Sequence, residues 1–263
     1  MSSPIHGVFA AALTPLQADD SMDLDAIPAL LNFLARRGCH GALLFGTTGE
    51  GPSFSPSERL TAIKVAVEWR RTDPAFRLLA GVGTPSLDET IQLTRAAFKL
   101  GLDGVVCLPP YYFRKVSDEG LFAWFSRVIQ RAVPSSGAFF GYHFPGVSGV
   151  PLSIDLLARL KDRFPGSFTG LKDSSGDPEF AAQLGQRFGS DLLTFTGSDR
   201  LFSQALAAGA TGCITAMANL YSPDSRQVWD SFNAGDQTTQ EIAQARLTAA
   251  RLVLERYPPF PPT

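Results

Sequence analysis

The chain has 263 residues, 44% of them hydrophobic, with 23 basic side chains against 25 acidic ones. That length can bury one large core, and the balanced charge leaves no footprint for nucleic acid or for an anionic membrane surface. There is no apolar run of about 18 residues, so no membrane span is expected, and MSSPIHGVFAAALTP at the N-terminus lacks the basic start of a signal peptide. Cys39, Cys107 and Cys213 are odd in number and sit among apolar neighbours. They read as reduced, buried thiols of a cytoplasmic protein.

Short apolar runs alternate with amphipathic stretches along the chain. GVFAAALTP (7–15) reads as the first strand and DAIPALLNFLARRG as the helix after it. GALLFG (41–46) is followed by SPSERLTAIKVAVEWRR, and LLAGVG (78–83) by SLDETIQLTRAAFKLG. The remaining strands are GVVCLPP (104–110), AFFGYHFP (138–145), FTGLKDS (168–174), LLTFTGS (192–198) and TGCITAMA (211–218). Helix punctuation agrees with this order. Ser55-Pro56-Ser57-Glu58 is a capping box with proline at the first helical position, Asp177-Pro178-Glu179 opens another helix, and Gly38, Gly101 and Gly209 follow helices as caps. Eight strand–helix units predict a (β/α)8 TIM barrel, an architecture of typically about 250 residues. A doubly wound open sheet is the alternative. It more often carries a glycine-rich phosphate turn after its first strand, and ALTPLQADD has none. The expected organisation is a catalytic barrel over 1–236 and a short C-terminal helical extension over 237–263, with a helix at 238–255 and a proline-rich end.

In such a barrel the reactive groups sit at the C-terminal ends of the strands. Lys172 stands out there: of five lysines in the chain it alone falls in a strand. Alternation gives Phe168, Gly170 and Lys172 one parity, so with Leu171 facing the helices Lys172 points into the barrel, and Gly170 leaves room for it. Burial of an ammonium is costly and is commonly relieved by a lowered pKa. A neutral amine in an apolar pocket attacks carbonyl carbon to give a Schiff base. The alternatives are an ion pair with Asp173 or Asp199, or a side chain that reaches the rim. Tyr142 shares the inward parity of Ala138 and Phe140 and can move protons beside an amine, or it is a core tyrosine with a satisfied hydroxyl. His143 has the opposite parity and reads as a supporting residue.

GTTGEG (46–51) offers backbone N–H groups and the hydroxyls of Thr47 and Thr48, a set that can hold a carboxylate, or is an ordinary strand-to-helix turn. Gly46, Ser198 and Asp199 complete the polar set at the strand ends. His6, His40 and His143 show no metal-binding spacing, so no metal or other cofactor is expected. The stiff aromatic loop PPYYF (109–113) suggests a subunit contact or a pocket wall.

GTTGE, PPYY, GYHFP with SG beyond it, and GLKDSSG, in this order, resemble the pyruvate-dependent class I aldolases. That family includes dihydrodipicolinate synthase, N-acetylneuraminate lyase and the 2-keto-3-deoxy sugar acid aldolases. The resemblance implies a lyase that makes or breaks a C–C bond through a lysine imine between Lys172 and pyruvate or another 2-keto acid, with an aldehyde as the second small-molecule partner. It further implies Thr47 and Thr48 on the keto acid's carboxylate and Tyr142 as acid/base. Tyr112 would reach a neighbouring subunit's site and support a Thr47–Tyr142 relay. The Ile214 backbone carbonyl would face the pyruvyl group, and a homo-oligomer, dimer or tetramer, would form. In dihydrodipicolinate synthases an arginine two residues after the proline of the tyrosine motif binds the aldehyde substrate's carboxylate. Val147 stands at that position and cannot pair with an anion, which argues against that condensation. The neuraminate lyases carry an acidic residue directly after the Asp199 position, where this chain has Arg200, a partner for an acidic substrate or a helix cap. A dehydratase or hydratase-aldolase using the same imine, and a non-catalytic keto acid binder, are the competing functions.

Overall fold

The computed structural model describes residues 5–257. Eight parallel strands close into a barrel in sequence order: β1 (Gly7–Ala11), β2 (Gly41–Leu44), β3 (Arg77–Gly81), β4 (Gly104–Cys107), β5 (Ala138–His143), β6 (Phe168–Asp173), β7 (Leu193–Thr196) and β8 (Gly212–Thr215). The ring is sealed by β8 on β1, with Gly7 opposite Gly212. The helices between strands are α1 (Ala26–Arg36), α2 (Pro56–Arg70), α3 (Leu87–Leu100), α4 (Asp118–Ala132), α5 (Pro145–Ser148), α6 (Ile154–Arg163), α7 (Pro178–Phe188) and α8 (Phe202–Ala207). Then come α9 (Ala218–Ala234) and α10 (Gln237–Leu254). The capping box forms as expected: Glu58 N donates to Ser55 Oγ, and Ser55 N donates to Glu58 Oε2 at 2.8 Å. Gly38, Gly101 and Gly209 all take left-handed backbone at helix ends, with φ of +91°, +94° and +97°.

Two apolar layers result. The outer layer packs the sheet against the helices, and the inner one fills the barrel. Inside, Phe9, Phe140 and Phe195 meet edge to face, with ring centroids 5.5 and 5.8 Å apart. They plug the barrel below Tyr142 and Lys172, so polar groups at the strand ends stand on an apolar floor. All three cysteines are buried and free. Among the described residues no helix is long and apolar enough to cross a membrane.

The strands are shorter than the apolar runs suggested. β1 ends at Ala11 and β2 at Leu44, and the residues beyond become the loops of the upper face. A second correction concerns β6. The register shifts opposite Phe139/Phe140, so Phe139 pairs with Phe168 but Phe140 with Gly170, leaving Thr169 as the extra residue of a bulge. Phe168 therefore packs in the outer layer with Phe139, while Gly170 and Lys172 keep the inward face. The space at Gly170 is also used differently from the expectation. A Cβ there would collide with the Leu193 carbonyl oxygen and lie 2.5 Å from the Phe140 ring. It is the Leu193 carbonyl and the Phe140 ring, rather than the lysine stem, that require the glycine.

Candidate active site

Tyr142 and Lys172 are register partners on adjacent strands and point together into the top of the barrel. Both are buried, at 4% and 3% exposure. Lys172 Nζ donates to Tyr142 Oη at 3.0 Å and lies 4.1 Å from the centre of its ring. Among the described residues Lys172 makes no ion pair, with Asp173 or with Asp199. Asp173 instead accepts from Ser175 N at 2.9 Å. Tyr142 Oη is also 3.3 Å from Thr47 Oγ1. Burial alone pushes the Tyr142 phenol up. The Lys172 ammonium and hydrogen bonds from Thr47, Lys172 and Ser174 outweigh it, and the phenol ends below its ordinary value of 10.0.

Thr47 is held by a strained turn. Phe45 and Glu50 adopt left-handed backbone, with φ of +55° and +51°, a costly state for a phenylalanine. Close packing imposes it: a Cβ at Gly81 of β3 would collide with the Phe45 carbonyl. Glu50 N then donates to the Thr47 carbonyl and Gly51 N to the Gly46 carbonyl, both at 3.1 Å. The Thr14 hydroxyl ties the turn to the loop after β1 by donating to the Gly49 carbonyl at 2.7 Å.

These groups line one cavity of about 210 Å³. It brings together Lys172, Tyr142, Thr47, Thr48, Ser198, Asp199 and Ile214 of the expected set. Two expected residues lie elsewhere. Gly46 borders a separate small cavity of about 20 Å³ behind Thr47, beside Arg59. Tyr112 is 75% exposed and outside the cavity, its ring packed edge to face on Phe113. His143 turns outward as its parity predicts. Its Nδ1 accepts from Leu152 N at 3.0 Å, its ring stacks on Phe180, and burial lowers its pKa to about 4.

The sequence reading missed Ser174, Arg251 and Glu255 on the cavity wall, where Phe144 also stands. Phe144 stacks on Tyr142 at 5.8 Å. Arg251 and Glu255 come from the end of α10, which carries no motif, so no local signal could have found them. Asp199 is 2% exposed, and burial raises its carboxyl to about 6. Its Oδ2 is 3.3 Å from Arg251 Nη1, and the Thr215 hydroxyl beside it works with that arginine to hold the pKa down against burial. Among the described residues no group of three or more His, Cys, Asp or Glu is placed to hold a metal ion.

Known proteins resemble the chain along nearly its whole length. Residues 4–258 match the dihydrodipicolinate synthetase family. An uncharacterized DapA-like lyase from Chloroflexus aurantiacus is 40% identical, over 95% of this chain and 82% of its own length. A 4-hydroxy-tetrahydrodipicolinate synthase 2 from Streptomyces coelicolor is 34% identical, over 93% of this chain and 79% of its own. Among solved structures, chloride-inhibited dihydrodipicolinate synthase from Acinetobacter baumannii complexed with pyruvate superposes with a TM-score of 0.90. It is 26% identical, over 98% of this chain and 86% of that one.

Proposed function

The chain belongs to the dihydrodipicolinate synthetase family of aldolase-type lyases, and on that premise we propose that it cleaves or forms a C–C bond through an imine of Lys172 with pyruvate or a 2-keto-3-deoxy sugar acid. The observation that carries this reading is the buried contact of 3.0 Å between Lys172 Nζ and Tyr142 Oη at the cavity floor. A buried amine with a phenol as its nearest polar partner is suited to nucleophilic attack followed by proton transfer.

In the proposed sequence the neutral Lys172 amine attacks the keto carbon, and as water leaves the Tyr142 phenol gives up its proton, so that a protonated imine forms beside a phenolate. The imine withdraws electrons as the C–C bond breaks, releasing an aldehyde and leaving an enamine. Tyr142 takes the proton from the departing hydroxyl and, through Thr47, exchanges it with the enamine carbon or solvent. Thr47 and Thr48 hold the substrate carboxylate with hydroxyl and backbone donors, and the Ile214 carbonyl faces the pyruvyl group. Tyr112, exposed on this chain, serves the relay of a second copy in a homo-oligomer. Run in reverse, the enamine adds to an aldehyde. Val147 is 49% exposed and stands off the cavity wall. Among the described residues that line the cavity, none from the β5–α5 segment is a cation for an aldehyde's carboxylate, which supports sugar-acid cleavage over dihydrodipicolinate synthesis.

The test is borohydride reduction with pyruvate followed by peptide mass spectrometry. A reduced pyruvyl adduct on the GLKDSSG peptide, absent from Lys172→Ala, is the expected result. No adduct with pyruvate or with any longer 2-keto acid would sink the reading and move a non-catalytic binder to the front.

A further inference from the structure

The far wall of the cavity is charged. It is built by the turn after β7 and the end of α10, and it carries Asp199, Arg200, Arg251 and Glu255. The two arginines are held differently. Arg251 Nη1 is 3.3 Å from Asp199 Oδ2, its Nε donates to Glu255 Oε1 at 3.0 Å, and its side chain is only 23% exposed. Arg200 reaches Glu255 Oε2 at 3.6 Å, beyond hydrogen-bonding distance, and its side chain is 52% exposed. A long, half-exposed pair of that kind contributes little and is readily exchanged. The backbone beneath Arg200 is nonetheless fixed. Gln244 of α10 donates to the Asp199 carbonyl at 2.9 Å and accepts from Ser203 N at 2.9 Å. Arg200 is thus a loosely paired guanidinium on a rigid mount, opening onto the same cavity as Lys172.

The segment after β5 lines the cavity with Phe144, and Val147 lies outside it. Among the described residues lining the cavity, the cations are Lys172, Arg200 and Arg251.

We propose that Arg200 is a specificity residue which exchanges Glu255 for a carboxylate at the distal end of the substrate, so that the site selects 2-keto acids carrying a second anionic group. The inference rests on the imine reading and names its substrate class. The planar guanidinium fork matches a carboxylate with two parallel hydrogen bonds, a better arrangement than its 3.6 Å contact with Glu255. Glu255 is not left unpaired by the exchange, because Arg251 Nε still binds its other oxygen.

The test compares binding of 2-oxoglutarate and 2-oxopentanoate, which share a chain length and differ in charge at the far end. Calorimetry is run on the wild type, Arg200→Gln and Glu255→Gln. The wild type is expected to prefer 2-oxoglutarate about tenfold or more, the increment of a charge-assisted pair. Arg200→Gln removes that preference, and Glu255→Gln, which strips Arg200 of its competitor, enlarges it. Equal affinities in the wild type, or a preference that survives Arg200→Gln, overturns the proposal and leaves Arg200 as a surface partner of Glu255. The same pair of ligands on Lys172→Ala separates the two readings. A preference that persists there, at lower absolute affinity, belongs to Arg200, whereas absence of a trapped imine in the wild type counts against Lys172 alone.

Discussion

At the scale of single residues, one phenol hydroxyl joins the groups at the cavity floor. Tyr142 Oη meets Lys172 at 3.0 Å and Thr47 at 3.3 Å, so proton movement between amine, substrate and hydroxyl has one common station. Tyr142→Phe keeps the ring stacked on Phe144 and deletes only that station. On the proposed mechanism kcat falls by about 10²–10⁴, the usual contribution of general acid–base catalysis, while the pyruvate adduct on Lys172 still accumulates at a slower rate. A loss below about tenfold in kcat would place the proton transfer on another group. The same residue predicts a pH effect. Its phenol titrates below its ordinary 10.0, so the protonated form is lost as the pH rises through that lowered value. The wild type's alkaline decline in kcat/KM, which reports the free enzyme, therefore begins earlier than for an ordinary phenol, and Tyr142→Phe lacks this limb. Sequence parity was enough to aim Tyr142 inward and His143 outward, because β5 alternates without interruption up to that point.

At the scale of elements, the eight strands and their order were legible because each apolar run is short and is followed by helix signals that the structure keeps, such as the Ser55 and Asp177 caps. What was not legible depends on contacts remote in sequence. Thr169 is an acceptable strand residue in either register, so nothing local marks the bulge that turns Phe168 outward. The Tyr112 loop stands exposed on this chain, and no pattern within one chain says what it meets. Arg251 and Glu255 reach the cavity only because α10 folds back across the end of β7. The bulge and Gly170 together set the height of Lys172 on β6. Gly170→Ala forces a Cβ against the Leu193 carbonyl and the Phe140 ring, and the neighbouring strand backbone cannot yield as a flexible side chain could. The expected cost is about 1–3 kcal/mol in urea unfolding, the range for overpacking, with slower pyruvate trapping because Lys172 sits two residues along the displaced strand. Unfolding and trapping both at wild-type values would show that β6 has slack.

At the scale of the whole molecule, α10 packs on the barrel's helices and places Arg251 against a buried carboxylate beside the cavity. Asp199 faces Arg251 from α10, Thr215 and Cys213 from β8, and, at the rim, Glu255 with Arg200. Arg251 offsets only part of the desolvation, because the carboxyl still rises from 3.8 to about 6. The folded chain therefore binds this proton more tightly than the unfolded chain does. The stability from this group is fully present below pH 3.8 and is lost as the pH rises through about 6, a change of about 3 kcal/mol for a shift of that size. Asp199→Asn cannot titrate. It also loses the Arg251 ion pair, so its absolute stability is uninformative, but the pH dependence of the difference between the two proteins is not. Other carboxylates titrate in both and cancel. In urea unfolding the wild type should lose stability relative to Asp199→Asn between about pH 4 and about pH 6, and the two should run parallel above that. A difference that is flat across the window would mean that Asp199 is as well solvated in the fold as in the unfolded chain. The wall that joins α10 to the barrel would then be open to water, and the case for a sheltered anion site at Arg200 would weaken with it.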